Sequence, residues 1–523
     1  MKLRCSLFYF FTDKKLMNSI VIFYNEKGSN YKDEKVFGGK SAVELTHSLM
    51  EQSKFDTVSD IITIDGPLSL CELLEKLSSV CDEKKADFVI FSYNDLPFLD
   101  RPLIEELIKS HVEYKAEYTF ADGYPYGFTP ELLDSGTIKI LSQLAKTTQK
   151  QLGSKKTSRD SIFELIKTDI NSFEVETILA PNDWRLYRFA FHCGTKDNFL
   201  QSKALYDQIK GKELSADEKS KLASECLACL KTVPGFYNVQ IAQKTNILSI
   251  YSPYKTKENG NMDYEKFSNL VDKIAKFSER AVISLSAWGE PLCNSACLKM
   301  IKKVLSYQGL SVFMETDGLL VTQDFCNELK KIVEEASERN NGYQKFMAAV
   351  TLDAFTKETY AHLHPDANKA FGEDAFDKAI NAVNLLCQAV PGMVYPQFVR
   401  MNDNENELES FFRYWNEKTN ATGGNFIIQK YDDLAGLLPP CKPADLSPIE
   451  RFPCWHCRRD LTILWNGDVP PCRTYLNSEI LGNVFSESLE EIWKKTDSLL
   501  EGHVKQKYNE KCGKCDEYYT FNF

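Results

Sequence analysis

The sequence of 523 residues lacks any long apolar run, and no stretch approaches the about 18 residues that would suggest a membrane span. It also lacks a basic cluster: the net charge is −11 and Lys and Arg are scattered, which argues against a nucleic-acid-binding face. A short apolar patch, Leu7–Phe11, is not followed by a small-residue cleavage site, so we expect no signal peptide. These absences favour a cytoplasmic protein that binds neither membranes nor nucleic acids.

Cysteine is abundant, with 16 residues. Most are single and fall within apolar helix or strand patterns, as Cys81 and Cys387 do, and we expect these to be core thiols. The pairs Cys226/Cys229 and Cys293/Cys297 have helical spacing inside predicted helices, and we expect them to be structural. So many unpaired thiols suit a reducing cytoplasm.

The length predicts two to four domains, and a composition of 43% hydrophobic and 26% charged residues is typical of globular proteins. From residue 18, strands alternate with helices, which predicts a parallel sheet covered on both faces. The predicted elements are Ile20–Tyr24, Ser41–Gln52, Thr57–Ile64, Leu68–Val80 and Phe88–Tyr93.

A capping box predicts the start of a helix at Ser215 and Glu218, and Pro234-Gly235 ends that helix. We place the first domain boundary there, so that the N-terminal domain covers 18–233.

The strand that ends at Tyr93 leads into Asn94-Asp95-Leu96-Pro97-Phe98-Leu99-Asp100. This resembles the D-x-P-F-L-D turn of nucleotidyltransferases with the GT-A-like (Rossmann-like) fold. The resemblance implies that Asp95 is a catalytic candidate that holds Mg²⁺ beside nucleotide phosphates, at the strand end where such sheets bind ligands. The family's Gly- and Arg-rich phosphate loop is absent here; Asn25-Glu26-Lys27-Gly28-Ser29 stands in its place, and Lys40 could substitute for a phosphate contact.

A strand and loop, Tyr237–Tyr254, resemble the first strand and cluster loop of radical S-adenosylmethionine (SAM) proteins. In that family the loop carries C-x3-C-x2-C, whose thiolates hold a [4Fe–4S] cluster. The same spacing here falls on Thr245, Ser249 and Ser252. Hydroxyl groups are far less acidic than thiols and offer hard oxygen, so we expect no redox cluster and no radical cleavage of SAM at this loop.

Later turns follow the same family's order. Gly289-Glu290-Pro291 resembles its G-G-E-P motif, which contacts the methionine amino group of SAM, and a carboxylate facing an ammonium group is an intelligible contact. Thr316 lies in a turn like the family's E-T-N-G, and Arg400 ends a further strand. We take these five residues as SAM-binding candidates on a partial TIM-type (β/α)6 barrel over 236–437, with its ligand at the carboxyl ends of the strands.

The last segment, 450–523, resembles the SPASM or shortened twitch domain, the auxiliary-cluster module of radical SAM enzymes. Its cysteine count supports one auxiliary [4Fe–4S] cluster, whose ligands would be Cys472, Cys512, Cys515 and either Cys454 or Cys457. Two C-x2-C pairs are also a zinc signature, and spacing alone does not separate zinc from iron–sulfur.

The chain as a whole resembles the spiro-SPASM proteins, in which these three modules are fused. One hypothesis is a degenerate radical SAM scaffold that keeps an auxiliary cluster and could still bind SAM, with a small-molecule or peptide substrate. The alternative is a Mg²⁺-dependent nucleotidyl or sugar-nucleotide transferase acting through Asp95, with a structural zinc or iron–sulfur tail. An active radical enzyme would need a third thiol beside Cys293 and Cys297.

Overall fold

The computed structural model describes residues 17–28, 31–52, 55, 57–254, 259–443, 450–476 and 478–518. The N-terminal patch Leu7–Phe11 lies outside these residues. The chain divides into two compact units, one ending at Leu230 and the other beginning at Lys231.

The first unit alternates strands and helices over most of its length, as predicted. In chain order its elements are β1 (Ser19–Asn25), α1 (Ala42–Gln52), β2 (Val58–Asp65), α2 (Leu70–Lys84), β3 (Phe88–Tyr93), α3 (Arg101–Tyr114), β4 (Tyr118–Asp122), β5 (Glu131–Asp134), α4 (Ser135–Lys146), α5 (Lys150–Gly153), α6 (Ser161–Lys167), β6 (Val175–Leu179), α7 (Lys196–Ile209), α8 (Ala216–Glu225) and α9 (Leu227–Leu230).

The strands of this unit form one six-stranded sheet in the order β2-β1-β3-β5-β4-β6. The residues Ile20–Tyr24 of the β1 strand are completely buried, as expected of a strand covered on both faces. Against the prediction, the sheet is not wholly parallel, because β5 runs antiparallel to both neighbours. The connection from Asp122 to Glu131 is too short for the crossover that a parallel pair needs, so the chain turns straight back.

The second unit contains the barrel and the tail. Its elements are β7 (Phe236–Val239), α10 (Tyr264–Ser278), β8 (Ala281–Ser284), α11 (Cys297–Leu305), β9 (Leu310–Thr316), α12 (Gln323–Glu335), β10 (Phe346–Thr351), α13 (Lys357–Leu363), α14 (Ala367–Phe371), α15 (Ala375–Ala389), β11 (Val394–Arg400), α16 (Leu408–Trp415), β12 (Ile427–Lys430), α17 (Trp455–Arg459), β13 (Asp460–Ile463), β14 (Asp468–Val469), β15 (Gly482–Asn483), α18 (Leu489–Lys495), α19 (Asp497–Val504) and α20 (Glu510–Lys514).

Seven of these strands form a parallel half-barrel in the order β12-β11-β10-β9-β8-β7-β13. Its helices bury apolar residues at helical spacing; α10, for example, buries Phe267, Leu270, Val271 and Ile274. The predicted six strands are present. The seventh, β13, comes from the tail and pairs with β7, in the register Asp460 to Phe236.

Within the described ranges, no helix has both the length and the apolar character needed to cross a membrane.

Candidate functional site

A cavity of about 760 Å³ opens at the carboxyl ends of the barrel strands. Its volume falls in the range of small-molecule sites, and a barrel of this kind binds its ligands at this end. The sequence-predicted residues Thr245, Ser249, Ser252, Gly289, Glu290, Thr316 and Arg400 all lie in its wall. Residues predicted from separate stretches of sequence are therefore brought together.

The hydroxyl triplet lies on the loop after β7, which the rest of the barrel holds in place. The Ile250 N–H donates to the Leu363 carbonyl at 2.9 Å, and the Leu248 N–H donates to Asp366 Oδ1 at 2.9 Å. Among the described residues, the buried Thr245 Oγ1 has no hydrogen-bond partner. The loop thus offers oxygen, not sulfur, to the cavity.

Glu290 is buried at the base of the cavity and is already engaged by protein donors. The Thr316 hydroxyl lies 2.9 and 3.0 Å from its two oxygens, and the N–H groups of Asp317 and Leu292 donate to it at 3.0 Å. Burial, and then the Asp317 carboxylate, raise the pKa of Glu290 well above its ordinary value. A role for Glu290 with the ammonium group of SAM stays a prediction.

Gly289 lets two loops touch at the cavity wall. A Cβ built on it would lie 1.7 Å from the Ala242 carbonyl oxygen, and next to it the Glu290 N–H donates to the Lys244 carbonyl at 2.9 Å. Trp288, which stands where the family pattern has a glycine, has φ of 60°, a left-handed conformation that glycine adopts without strain. The turn therefore keeps a glycine-like backbone despite the tryptophan.

Arg400 lies at the end of β11 and pairs with Glu405. Its Nε and one terminal nitrogen donate to the two Glu405 oxygens at 2.7 and 2.6 Å. This bidentate pair orients the guanidinium within the cavity wall.

Sequence reasoning missed a second buried cluster beside the triplet. Asp353 is fully buried; its carboxylate accepts from the Tyr251 hydroxyl and, at 2.7 Å, from the Val399 N–H. His364 Nε2 lies 3.8 Å from Asp353 Oδ2, and neither ring nitrogen of His364 is hydrogen-bonded within the described chain. The position of Asp353 directly after a strand is its one sequence signal for a site. No sequence pattern indicates that Tyr251 and His364 join it.

The tail brings together all five predicted ligand cysteines. One cavity is lined by Cys454, Cys457, Cys472, Cys512 and Cys515. A hydrogen bond from the Cys457 thiol lowers the pKa of Cys454 to about 6, while burial raises the pKa of Cys472 to about 12. No three of these described sulfur atoms lie within 4.8 Å of one another. The donor set is soft and fits an iron–sulfur group.

Three residues, His456, Arg473 and Glu517, line both the thiol cavity and the barrel cavity. His456 is largely buried, and its Nδ1 lies 2.6 Å from Oδ2 of Asp460, the first residue of β13. The two cavities of this unit therefore share a wall.

A cluster of acidic groups stands near this wall. Asp432, Asp516 and Glu517 have carboxylate oxygens within 4.8 Å of one another. Arg473 bonds to Asp432 at 2.9 Å and to Glu517 at 3.1 Å, and Lys430 lies 3.2 Å from Glu517. Lys442 pairs with Asp516, so three cations face the three carboxylates and the cluster is an ion-pair network.

Asp95, in the first unit, follows β3 and is buried. Both of its oxygens accept from Arg159, at 3.0 and 2.7 Å, and the guanidinium also lies over the Tyr93 ring, 4.4 Å from its centre. Burial opposes ionisation, but Arg159 lowers the pKa of Asp95 below its ordinary value. Mg²⁺ would have to compete with Arg159, so a magnesium role for Asp95 stays a prediction.

The positions of Cys293 and Cys297 do not support a cluster held by other cysteines at the barrel. Cys293 ends a short 3₁₀ turn, Pro291–Cys293, and Cys297 begins α11, so the two do not share a helix as predicted. Neither lines the barrel cavity. Within the described residues, no third cysteine lies close enough to form a compact ligand set with them.

Comparison with known proteins identifies the tail first. The family model "Iron-sulfur cluster-binding domain", SPASM, matches residues 454–516. An uncharacterized protein of Treponema pallidum is 39% identical over 376 residues, which cover 69% of this chain and 98% of the relative. The chain belongs to the same family as this Treponema pallidum protein. The predicted fusion of an α/β domain, a partial parallel barrel and a SPASM domain is confirmed, and the SPASM domain assigns iron–sulfur binding to the tail.

Two solved structures are similar to parts of this chain. The structure of anSMEcpe with bound AdoMet is 15% identical, covers 54% of this chain and 83% of that chain, and has a TM-score of 0.40. A cytidylyltransferase from Leptospira borgpetersenii is 13% identical, covers 39% of this chain and 92% of that chain, and has a TM-score of 0.32.

Proposed function

We propose that this chain is a radical SAM/SPASM-family protein that holds one auxiliary [4Fe–4S] cluster in its tail and does not cleave SAM in its barrel. The cavity beside the barrel loop would bind an intact small molecule or a peptide. The observation that supports this proposal most directly is the contrast between three hydroxyls at the barrel site and five thiols that line one cavity in the tail.

The barrel loop supports the loss of radical chemistry. A cluster iron takes thiolate ligands, and a free cysteine supplies one readily because its thiol has a pKa of about 8.5. Serine and threonine hydroxyls do not ionise at neutral pH. Thr245, Ser249 and Ser252 are the three residues at the family spacing. Without a cluster there, no electron reaches a bound SAM molecule.

The tail supports a cluster over zinc. A zinc ion with Zn–S bonds of about 2.3 Å draws its sulfurs to within about 3.8 Å of one another. Among the described tail sulfurs, no three gather within 4.8 Å of one another, so the compact set that a zinc ion draws together is not formed. A four-iron cluster is larger than a single ion and spans wider ligand spacing. Cys472, Cys512 and Cys515, with either Cys454 or Cys457, would hold it and let it carry one electron or stabilise the tail.

The test is iron, sulfide and zinc content with EPR, on protein purified and reconstituted without oxygen. We expect about four irons per chain and a four-iron signal. The signal should vanish in Cys512→Ala/Cys515→Ala and persist in the core-thiol control Cys387→Ala. About eight irons would mean that the hydroxyl triplet does hold a cluster; one zinc and no iron would reject the cluster in the tail.

A second variant tests the barrel directly. Restoring three thiols as Thr245→Cys/Ser249→Cys/Ser252→Cys should add about four irons per chain, because the loop then matches the family's ligand set. Wild-type protein should leave SAM intact under reducing conditions. Formation of 5′-deoxyadenosine by the wild-type protein would overturn the proposal.

A further inference from the structure

Two cysteines at the end of the first unit form a pair that the iron–sulfur tail does not use. Cys226 is the cap residue directly after α8, and Cys229 lies three residues later, in α9. The Cys226 carbonyl accepts from the N–H groups of both Cys229 and Leu230 at 3.0 Å, so this is a helical turn. One such turn places two Cα atoms about 5 Å apart, within the range that a disulfide spans.

The two thiols have different surroundings. Cys229 is completely buried against α7, where Gln201 Nε2 donates to the Cys229 carbonyl at 2.7 Å and the Cys229 sulfur lies 4.0 Å from the Gln201 carbonyl. Cys226 is only partly buried. One cysteine is therefore shielded by the protein, and the other is partly exposed.

The groups near the Cys226 sulfur favour its ionised form. They are the Cys229 thiol and the backbone N–H groups of Cys229 and Ala228. The Cys229 thiol is the largest influence and, against the effect of burial, lowers the pKa of Cys226 to about 6; the same contact raises the pKa of Cys229. By contrast, burial raises the pKa of the core thiols Cys326 and Cys387 to about 11.

A metal does not account for the pair. In the part of the chain that the structure describes, no third histidine, cysteine or carboxylate ligand lies close enough to form a compact site with Cys226 and Cys229. Two thiolates alone do not make a structural zinc site, which takes four ligands.

We propose that Cys226 and Cys229 form a dithiol–disulfide site that reacts with small disulfides and small thiols. Cys226 is the attacking thiol and Cys229 the resolving thiol. The site is independent of the proposed cluster and gives a chemical role to a pair that the sequence analysis expects to be structural.

The chemistry balances as thiol–disulfide exchange. The Cys226 thiolate attacks one sulfur of a disulfide RSSR; the S–S bond breaks, and the first RS⁻ leaves and takes a proton from solvent. Cys229 then attacks the Cys226 sulfur of the mixed disulfide, and its proton passes to the second leaving RS⁻. The protein dithiol loses two electrons, and the small disulfide becomes two thiols.

The experiment follows one peptide. Trypsin cleaves after Lys221 and Lys231, so both cysteines fall within residues 222–231. Anaerobic protein is equilibrated in mixtures of reduced and oxidised glutathione, alkylated and digested, and the peptide is measured by mass spectrometry. We expect a reversible two-hydrogen loss that rises with the oxidised fraction, while Cys326 and Cys387 stay alkylated.

Variants separate the two roles. Cys229→Ala should accumulate one glutathione on Cys226, and Cys226→Ser should form neither the adduct nor the disulfide. The alkylation rate of Cys226 in wild-type protein should exceed that of Cys71, another half-buried thiol, at least tenfold at pH 7. A wild-type peptide that stays fully reduced in oxidised glutathione, or an adduct that never resolves to a disulfide, would overturn the proposal.

Discussion

Asp353 is the residue whose ionisation is most closely tied to the barrel cavity. It lies behind Tyr251 in the cavity wall and has φ of 58°, a strained conformation for a non-glycine residue. Burial raises its pKa to about 7, against the hydrogen bonds from Tyr251 and Val399, which lower it. Near neutral pH, a small change of surroundings would therefore change its charge.

The first prediction concerns stability against pH. The pKa of Asp353 is about 7 in the folded protein and about 3.9 when unfolded. Because the folded state holds the proton more tightly, the free energy of unfolding falls as pH rises from about 4 to about 7 and is level above that. Asp353→Asn removes this pH dependence. Between pH 5 and pH 8, the free energy of unfolding of the variant should therefore fall by roughly 2 to 3 kcal/mol less than that of wild type.

Urea unfolding of both proteins at a series of pH values measures this difference. Asp377→Asn, an exposed aspartate on α15, is the matched control and should keep the wild-type slope. Parallel curves for wild type and Asp353→Asn would show that Asp353 ionises normally in the folded protein.

Among the elements, the turn after β8 depends on one close backbone approach. Gly289→Ala places a Cβ 1.7 Å from the Ala242 carbonyl oxygen, and a backbone atom cannot yield without moving the loop after β7. We expect the free energy of unfolding to fall by about 2 kcal/mol or more, as for other overpacked sites. Urea unfolding measures it.

Gly235→Ala is the control for that substitution. Its added Cβ would meet the Arg459 Cγ at 3.5 Å, an ordinary contact, so its cost should be small. Equal stability of the two variants would mean that the Gly289 loop relaxes freely.

Local pattern predicted most elements of the barrel, because each strand is a short buried run followed by a turn. It did not predict that β13 joins β7, since the pairing of Asp460 with Phe236 depends on residues far apart in sequence. The same limit applies to the site. Motif spacing found Ser249, but the Tyr251–Asp353 contact joins positions 102 residues apart that no local pattern connects.

At the scale of the whole molecule, the tail and the barrel form one sheet. The β13 strand lies between Cys457 and Cys472 in sequence and pairs with β7, so ligands of the proposed cluster flank a barrel strand. Metal binding that orders the tail should therefore also stabilise β7, because binding to the folded state adds to its stability.

Hydrogen exchange after iron removal tests this coupling. We expect amide exchange to become faster over Phe236–Val239 and Asp460–Ile463, and to stay unchanged over Ser19–Asn25 in the first unit. The first unit serves as the internal control because it packs its own core. Unchanged exchange in β7, or equal acceleration in both units, would show that the cluster site does not stabilise the barrel sheet.

The pairing of β7 with β13 also joins two strands that the ribosome makes at different times. The ribosome completes β7 long before it makes β13, so one edge of the nascent sheet stays without its neighbour while the rest of the barrel emerges. Such a late, non-local pairing slows folding and exposes a strand edge to other chains. A nascent chain stalled before residue 460 would carry that unpaired strand edge, which is a template for pairing with other chains.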